Sequence, residues 1–163
     1  MKEYTESEML RRAAAYCSAA ERCREDVRRK MEAAGLPADA IDRILNRLTG
    51  EKFIDEKRFA RSFVNDKLRF NKWGRIKINY ELQKKKIPAD LREEALAAID
   101  EEEYRRILYD LLKTKKRGTR GKDERDLFYK LLRFAAGRGF ESSEAVRSLK
   151  QLLDTSAYED DRN

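Results

Sequence analysis

Residues 22–39, RCREDVRRKMEAAGLPAD, and residues 73–90, WGRIKINYELQKKKIPAD, are one pattern written twice at a constant shift of 51. Val27 falls opposite Ile78, Met31 opposite Leu82, Leu36 opposite Ile87, and the two Pro-Ala-Asp steps coincide. An internal repeat of this period points to stacked supersecondary units. Read alone, Ile76, Ile78, Tyr80 and Leu82 alternate with polar residues and argue a strand. The other copy, REDVRRKM, is helical in pattern, and Ile78 and Leu82 stand four apart like Val27 and Met31, so the stretch is read as helix. Ile76 and Tyr80 then lie on a different face, packed between repeats or offered to a partner.

Each Pro-Ala-Asp opens a further helix, with Ile41, Ile44, Leu45 and Leu48 in one copy and Leu91, Ala95, Leu96 and Ile99 in the other. Proline suits a first helical turn, and Asp39 and Asp90 place negative charge at the positive end of the helix dipole. A helix precedes each echo, over 7–18 and 56–71, the second marked by Phe59, Ala60, Phe63 and Val64. A looser third copy follows at a shift of 104, with helices expected over 102–114, 124–136 and 142–153. The expected fold is therefore all-α, a tandem array of three three-helix repeats at 1–52, 53–100 and 101–153, with a flexible polar tail at 154–163.

Charged residues at 42% beside 40% hydrophobic ones suit exposed helices laced with ion pairs rather than a disordered chain. No apolar run reaches the roughly 18 residues that cross a bilayer, and the first ten residues lack the apolar core of a signal peptide, so a cytoplasmic protein is expected. Cys17 and Cys23, with no histidine in the chain, cannot complete a four-ligand zinc site and are read as reduced thiols. No cofactor and no catalytic residue are expected, since there is no nucleophile elbow and no histidine. GTRGKDE at 118–124 fails as a phosphate loop, because Lys116 and Asp123 occupy the places where glycine and a hydroxyl residue are needed.

The net charge of +7 is unevenly spread. Between Lys57 and Lys86 stand eleven basic residues against Asp66 and Glu81, too few acids for helical i,i+4 pairing. A second knot, Lys113, Lys115, Lys116, Arg117, Arg120 and Lys122, meets no acid until Asp123. Such a distribution suggests an anionic or mixed partner surface. The residues expected to touch it are Arg58, Arg61, Lys67, Arg69, Lys72, Trp73, Arg75, Lys77, Tyr80, Lys84, Lys85, Lys86, Lys115, Lys116 and Arg117. Lys84, Lys85 and Lys86 close a helix and are all expected to be exposed. Phe59, Phe63, Ile78 and Leu82 are expected to pack together.

The stretch 53–87 resembles the central repeat of the RecX family, bacterial regulators of the RecA recombinase. The matching residues are Phe53, Asp55-Glu56, Arg58-Phe59-Ala60, the basic run Lys67 to Gly74, Glu81-Leu82 and Lys84 to Ile87. AERCREDVRRKMEAAG at 20–35 resembles the family's first repeat, with Cys23 where a capping serine is usual, so the cap is expected to come from elsewhere or to be weaker by about 1 kcal/mol. The resemblance implies an elongated, curved, monomeric molecule in the groove of the RecA filament on single-stranded DNA. It also implies a part in homologous recombination, DNA repair and the SOS response, as a modulator of RecA ATP turnover, filament growth and strand exchange. A stand-alone nucleic-acid-binding helical repeat is the alternative reading of the same basic residues.

Overall fold

A computed structural model describes the backbone over 4–161 and the side chains over 4–153, so the tail expected at 154–163 lies outside the described side chains. The described residues form nine helices and no strand: α1 Glu6–Ala19, α2 Arg24–Ala33, α3 Ala38–Gly50, α4 Glu56–Arg69, α5 Arg75–Lys84, α6 Ala89–Ala97, α7 Glu101–Arg117, α8 Glu124–Gly137 and α9 Ser142–Asp161. They are three three-helix repeats, and RIKINYEL is helical as its copy requires.

The repeat is written in the backbone as well as in the side chains. After the second helix of each unit stands a residue with positive φ, Gly35 at 85°, Lys86 at 60° and Gly139 at 90°. At each, the next N–H returns to the carbonyl five residues earlier, Leu36 to Met31 at 3.2 Å, Ile87 to Leu82 at 3.1 Å and Phe140 to Ala135 at 3.1 Å. This left-handed closure satisfies the last helical carbonyls and turns the chain into the third helix. Pro37 and Pro88 stand one residue before α3 and α6, their carbonyls accepting the N–H of Ile41 and Arg92. Each repeat also carries an ion pair between its first and third helices: Glu6 with Arg43 at 2.7 Å, Lys57 and Arg61 with Glu94 at 3.1 and 3.0 Å, and Arg105 with Glu144 at 3.0 Å.

Compactness follows a different division. One compact unit is residues 1–62 with 82–95; the other is 63–81 with 96–163. In the first, α1, α2 and α3 pack on one another around Met9, Ala13, Val27, Met31, Ile41, Leu45, Leu48 and Ile54. Cys23 is buried there and caps α2 itself, its Sγ accepting the Asp26 N–H at 3.4 Å while the Asp26 carboxylate accepts the Cys23 N–H at 3.3 Å. The thiol thus fills the serine's place in a reciprocal capping box. In the second unit α7, α8 and α9 pack mutually over Tyr104, Leu108, Leu112, Leu131, Ala135, Phe140 and Leu149.

Candidate partner-binding surface

The Trp73-Gly74 step belongs to the second unit, and its glycine is needed for a close backbone approach. The Gly74 N–H donates to the Arg138 carbonyl at 2.8 Å and the Ile76 N–H to that of Gly139 at 3.0 Å. A Cβ at position 74 would lie 2.4 Å from the Gly139 oxygen, and one at 139 would lie 2.2 Å from Lys77 Cβ. The Arg75 N–H donates to the Tyr104 hydroxyl at 3.1 Å, so the orphan donors that open α5 are satisfied from α7 and the α8–α9 loop. Tyr104 in turn donates to Glu141, which also holds Arg75 at 2.8 Å. Burial would raise the Glu141 carboxyl, but Tyr104 and Arg75 outweigh it and hold it below the usual range.

Around this anchor Trp73 is half-buried, edge-on to Phe63 at 6.5 Å, with Lys67 and Lys77 ammonium groups 4.9 and 4.6 Å from its ring centroid. Such cation–π contacts leave the charge available while fixing the stem. Phe59, Ile78 and Leu82 are buried as expected, whereas Phe63 is only half-buried. Ile76 and Tyr80, one helical turn apart on α5, are 57% and 58% exposed, so of the two placements open to them they take the surface.

The other basic residues divide sharply. In the first unit Arg58 meets Glu21 at 2.6 Å and donates to the carbonyls of Lys52 and Phe53, while Arg61 is held by Glu94. Lys85 is half-buried rather than exposed, its ammonium 2.7 Å from Asp26. Lys86 is exposed and 3.6 Å from Glu25, and Lys84 is exposed. In the second unit Arg69 is gripped by both oxygens of Glu103, Arg75 is paired as above and with Glu101, and Lys72 donates to the Arg69 carbonyl. Lys115 lies 4.9 Å from the Phe134 ring, Lys116 is half-buried and Arg117 exposed. The acids that the local sequence lacks therefore arrive from elsewhere in the chain. Near Trp73 the second unit carries the half-buried cations Lys67, Lys72 and Lys77 with the exposed Ile76 and Tyr80; in the first unit Lys84 and Lys86 are exposed.

Phe70, 78% exposed, belongs to the same class of residue and escapes the sequence reading. The repeat alignment held the signal: Phe70, Ile76 and Tyr80 stand opposite Ala19, Glu25 and Arg29, so the middle copy puts large apolar groups where the first has small or charged ones. Among the described residues no cluster of potential metal ligands occurs, and no helix is long and apolar enough to cross a membrane.

A family model, RecX, second three-helix domain, matches residues 55–96. The chain is 33% identical over 144 residues to regulatory protein RecX of Prosthecochloris aestuarii, covering 88% of this chain and 93% of the relative. It is 31% identical over 133 residues to that of Chlorobium phaeobacteroides, of which 85% is covered. It spans 64% of the Clostridium botulinum (strain Eklund 17B) relative, at 30% identity. The crystal structure of RecX from Lactobacillus salivarius superposes with a TM-score of 0.77 over 92% of this chain and 97% of that one, at 23% identity, a likeness of fold. With its helix triplets, its middle-repeat match and a relative 33% identical that is covered over 93% of its length, the chain belongs to the RecX family of regulatory proteins.

Proposed function

We propose that the protein regulates the RecA recombinase in the bacterial cytoplasm, chiefly as an inhibitor, by seating in the groove of the RecA filament on single-stranded DNA and limiting ATP turnover, filament growth and strand exchange. Family membership supports the partner. The observation that carries the surface is on the end of α4, the turn after it and α5, where exposed Phe70, Ile76 and Tyr80 accompany the half-buried Lys67, Lys72 and Lys77. Apolar anchors within a basic rim suit a protein groove that also presents phosphate, because anchors supply affinity and the rim supplies steering. No active-site chemistry is required of such a protein, and it is expected to act as a monomer without cofactor.

The test is the DNA-stimulated ATPase of RecA titrated with wild-type chain and with an Ile76→Ala/Tyr80→Ala variant. Inhibition by the wild type should fall about tenfold or more in the variant, whose melting temperature should be little changed because both side chains are exposed. Phe59→Ala, by contrast, removes a buried ring at a cost of about 3 to 5 kcal/mol and should fail by unfolding. A wild-type chain that leaves RecA turnover untouched sinks the reading. An Ile76/Tyr80 variant that melts as early as Phe59→Ala sinks the assignment of these residues to the surface.

A further inference from the structure

The basic knot at 113–122 and the outward face of α8 play no part in the surface around Trp73. Unlike the arginines of the middle repeat, Lys113, Lys115, Lys116, Arg117, Arg120 and Lys122 form no ion pair among the described residues, so their charge is not cancelled from elsewhere in the fold. The loop that carries them is folded onto the start of α8. Lys130 Nζ donates to the Arg120 carbonyl at 2.7 Å and the Lys122 N–H to the Asp126 carboxylate at 2.9 Å. Gly121 lies so close that a Cβ there would be 2.7 Å from the Leu127 nitrogen.

From that end a single row continues along α8. Arg125, Tyr129 and Arg133 are spaced i, i+4, i+8, all three are exposed, and Tyr129 is 45% accessible with the neighbouring Phe128 ring edge-on to it at 5.7 Å. At 1.5 Å per residue the two arginines are about 12 Å apart along the axis with the phenol midway. Of the acids of α8, only Asp126 lies near this row, where its carboxylate feels the charge of Arg133. Glu124 is five residues from Tyr129 and lies well round the helix, while the Asp126 carboxylate is occupied by the Lys122 N–H and by Lys130 at 3.2 Å.

We infer that the α7–α8 loop and the Arg125-Tyr129-Arg133 row form a binding surface for single-stranded nucleic acid, with a base stacked on Tyr129 and phosphates held by the flanking cations. An acidic protein partner fits less well, because one aromatic among cations lacks the cluster of apolar anchors on which a protein interface depends. An aromatic platform inside a basic track is the general means of holding a single strand without reading its sequence. This surface stands apart from the recombinase reading and requires no recombinase to act.

The test uses the full chain and a fluorescent, mixed-sequence single-stranded oligonucleotide, with anisotropy followed across a salt series and no recombinase present. Tyr129→Ala should weaken binding about tenfold with the salt slope unchanged, and Tyr129→Phe should restore it, since stacking needs the ring and not the hydroxyl. Arg125→Gln with Arg133→Gln should reduce the slope by about 0.7 for each phosphate that the variant no longer neutralises. These positions are exposed, and a melt on each variant establishes that it is folded. Unchanged affinity and slope in folded variants overturn the inference, as does a wild-type chain with no salt-sensitive binding. Loss of RecA inhibition with oligonucleotide affinity intact also overturns it, since the face would then serve a protein. Loss of oligonucleotide binding with RecA inhibition intact supports it and leaves the recombinase reading standing.

Discussion

At Cys23 burial lifts the thiol pKa to about 12, which makes the sulfur an inert helix cap rather than a nucleophile. Its neighbour Asp26 joins two elements. Burial acts to raise the Asp26 carboxyl, but the Lys85 ammonium and the Cys23 N–H outweigh it and hold the group below its ordinary 3.8. A carboxyl depressed in the folded state contributes stability that is whole above the unfolded pKa and lost as pH falls through the folded one. Asp26→Asn should therefore cost stability near neutral pH and flatten the loss seen on acidification below about pH 4. Lys85→Glu sets two carboxylates together in a half-buried site and should destabilise by about 2 to 3 kcal/mol. Lys84→Glu, at an exposed position, should stay within about 0.5 kcal/mol. Urea titrations of the three variants at pH 7 and at about pH 3, below the ordinary carboxylate range, measure all of this. A Lys85→Glu chain as stable as wild type would show that the Asp26 pair does not hold α2 to the end of α5.

At the scale of the element, the same left-handed turn is built with glycine twice and with lysine once. A non-glycine residue there carries about 1 kcal/mol of strain, and the Lys86 contact with Glu25, at 3.6 Å on an exposed side chain, offsets little of it. Lys86→Gly should raise stability by up to about 1 kcal/mol. The glycines are not interchangeable in the other direction. Around Gly35 nothing lies within 4 Å of an added Cβ, so Gly35→Ala costs backbone strain alone, about 1 kcal/mol. Gly74 has an ordinary φ yet faces the Gly139 carbonyl, and Gly74→Ala must push two backbones apart and break the hydrogen bond to Arg138, at about 3 kcal/mol or more. Thermal melts should rank the variants Lys86→Gly, wild type, Gly35→Ala, Gly74→Ala from most to least stable, and equal melting of the two alanine variants would remove the close approach as the reason for the Trp-Gly step.

For the whole molecule the unit of covalent repetition and the unit of compactness differ. The helices of the middle repeat, α4, α5 and α6, each contribute residues to both compact units. Cooperative opening follows packing rather than repeat boundaries. Leu45→Ala, which empties part of the first core at a cost of about 2 to 5 kcal/mol, should lower hydrogen-exchange protection in α1–α3 and over 82–95 while sparing α7–α9. A uniform loss of protection through all nine helices of the described chain would show one cooperative unit instead. The helices, their grouping in threes and the family resemblance were legible in the residues alone, because periodicity and the Pro-Ala-Asp starts act over a few residues and are repeated. The sequence could not tell a binding cation from a structural one, since the band offers only Asp66 and Glu81 at helical spacing and the acids that hold Lys85, Arg69 and Arg75 lie far along the chain. The tertiary structure brought Asp26, Glu103 and Glu141 to them from 59, 34 and 66 residues away. The role of Gly74 was equally out of reach, for its neighbour is a carbonyl 65 positions along the chain. Backbone approach and charge neutralisation depend on distance in space, and only the folded chain fixes which remote residues are near.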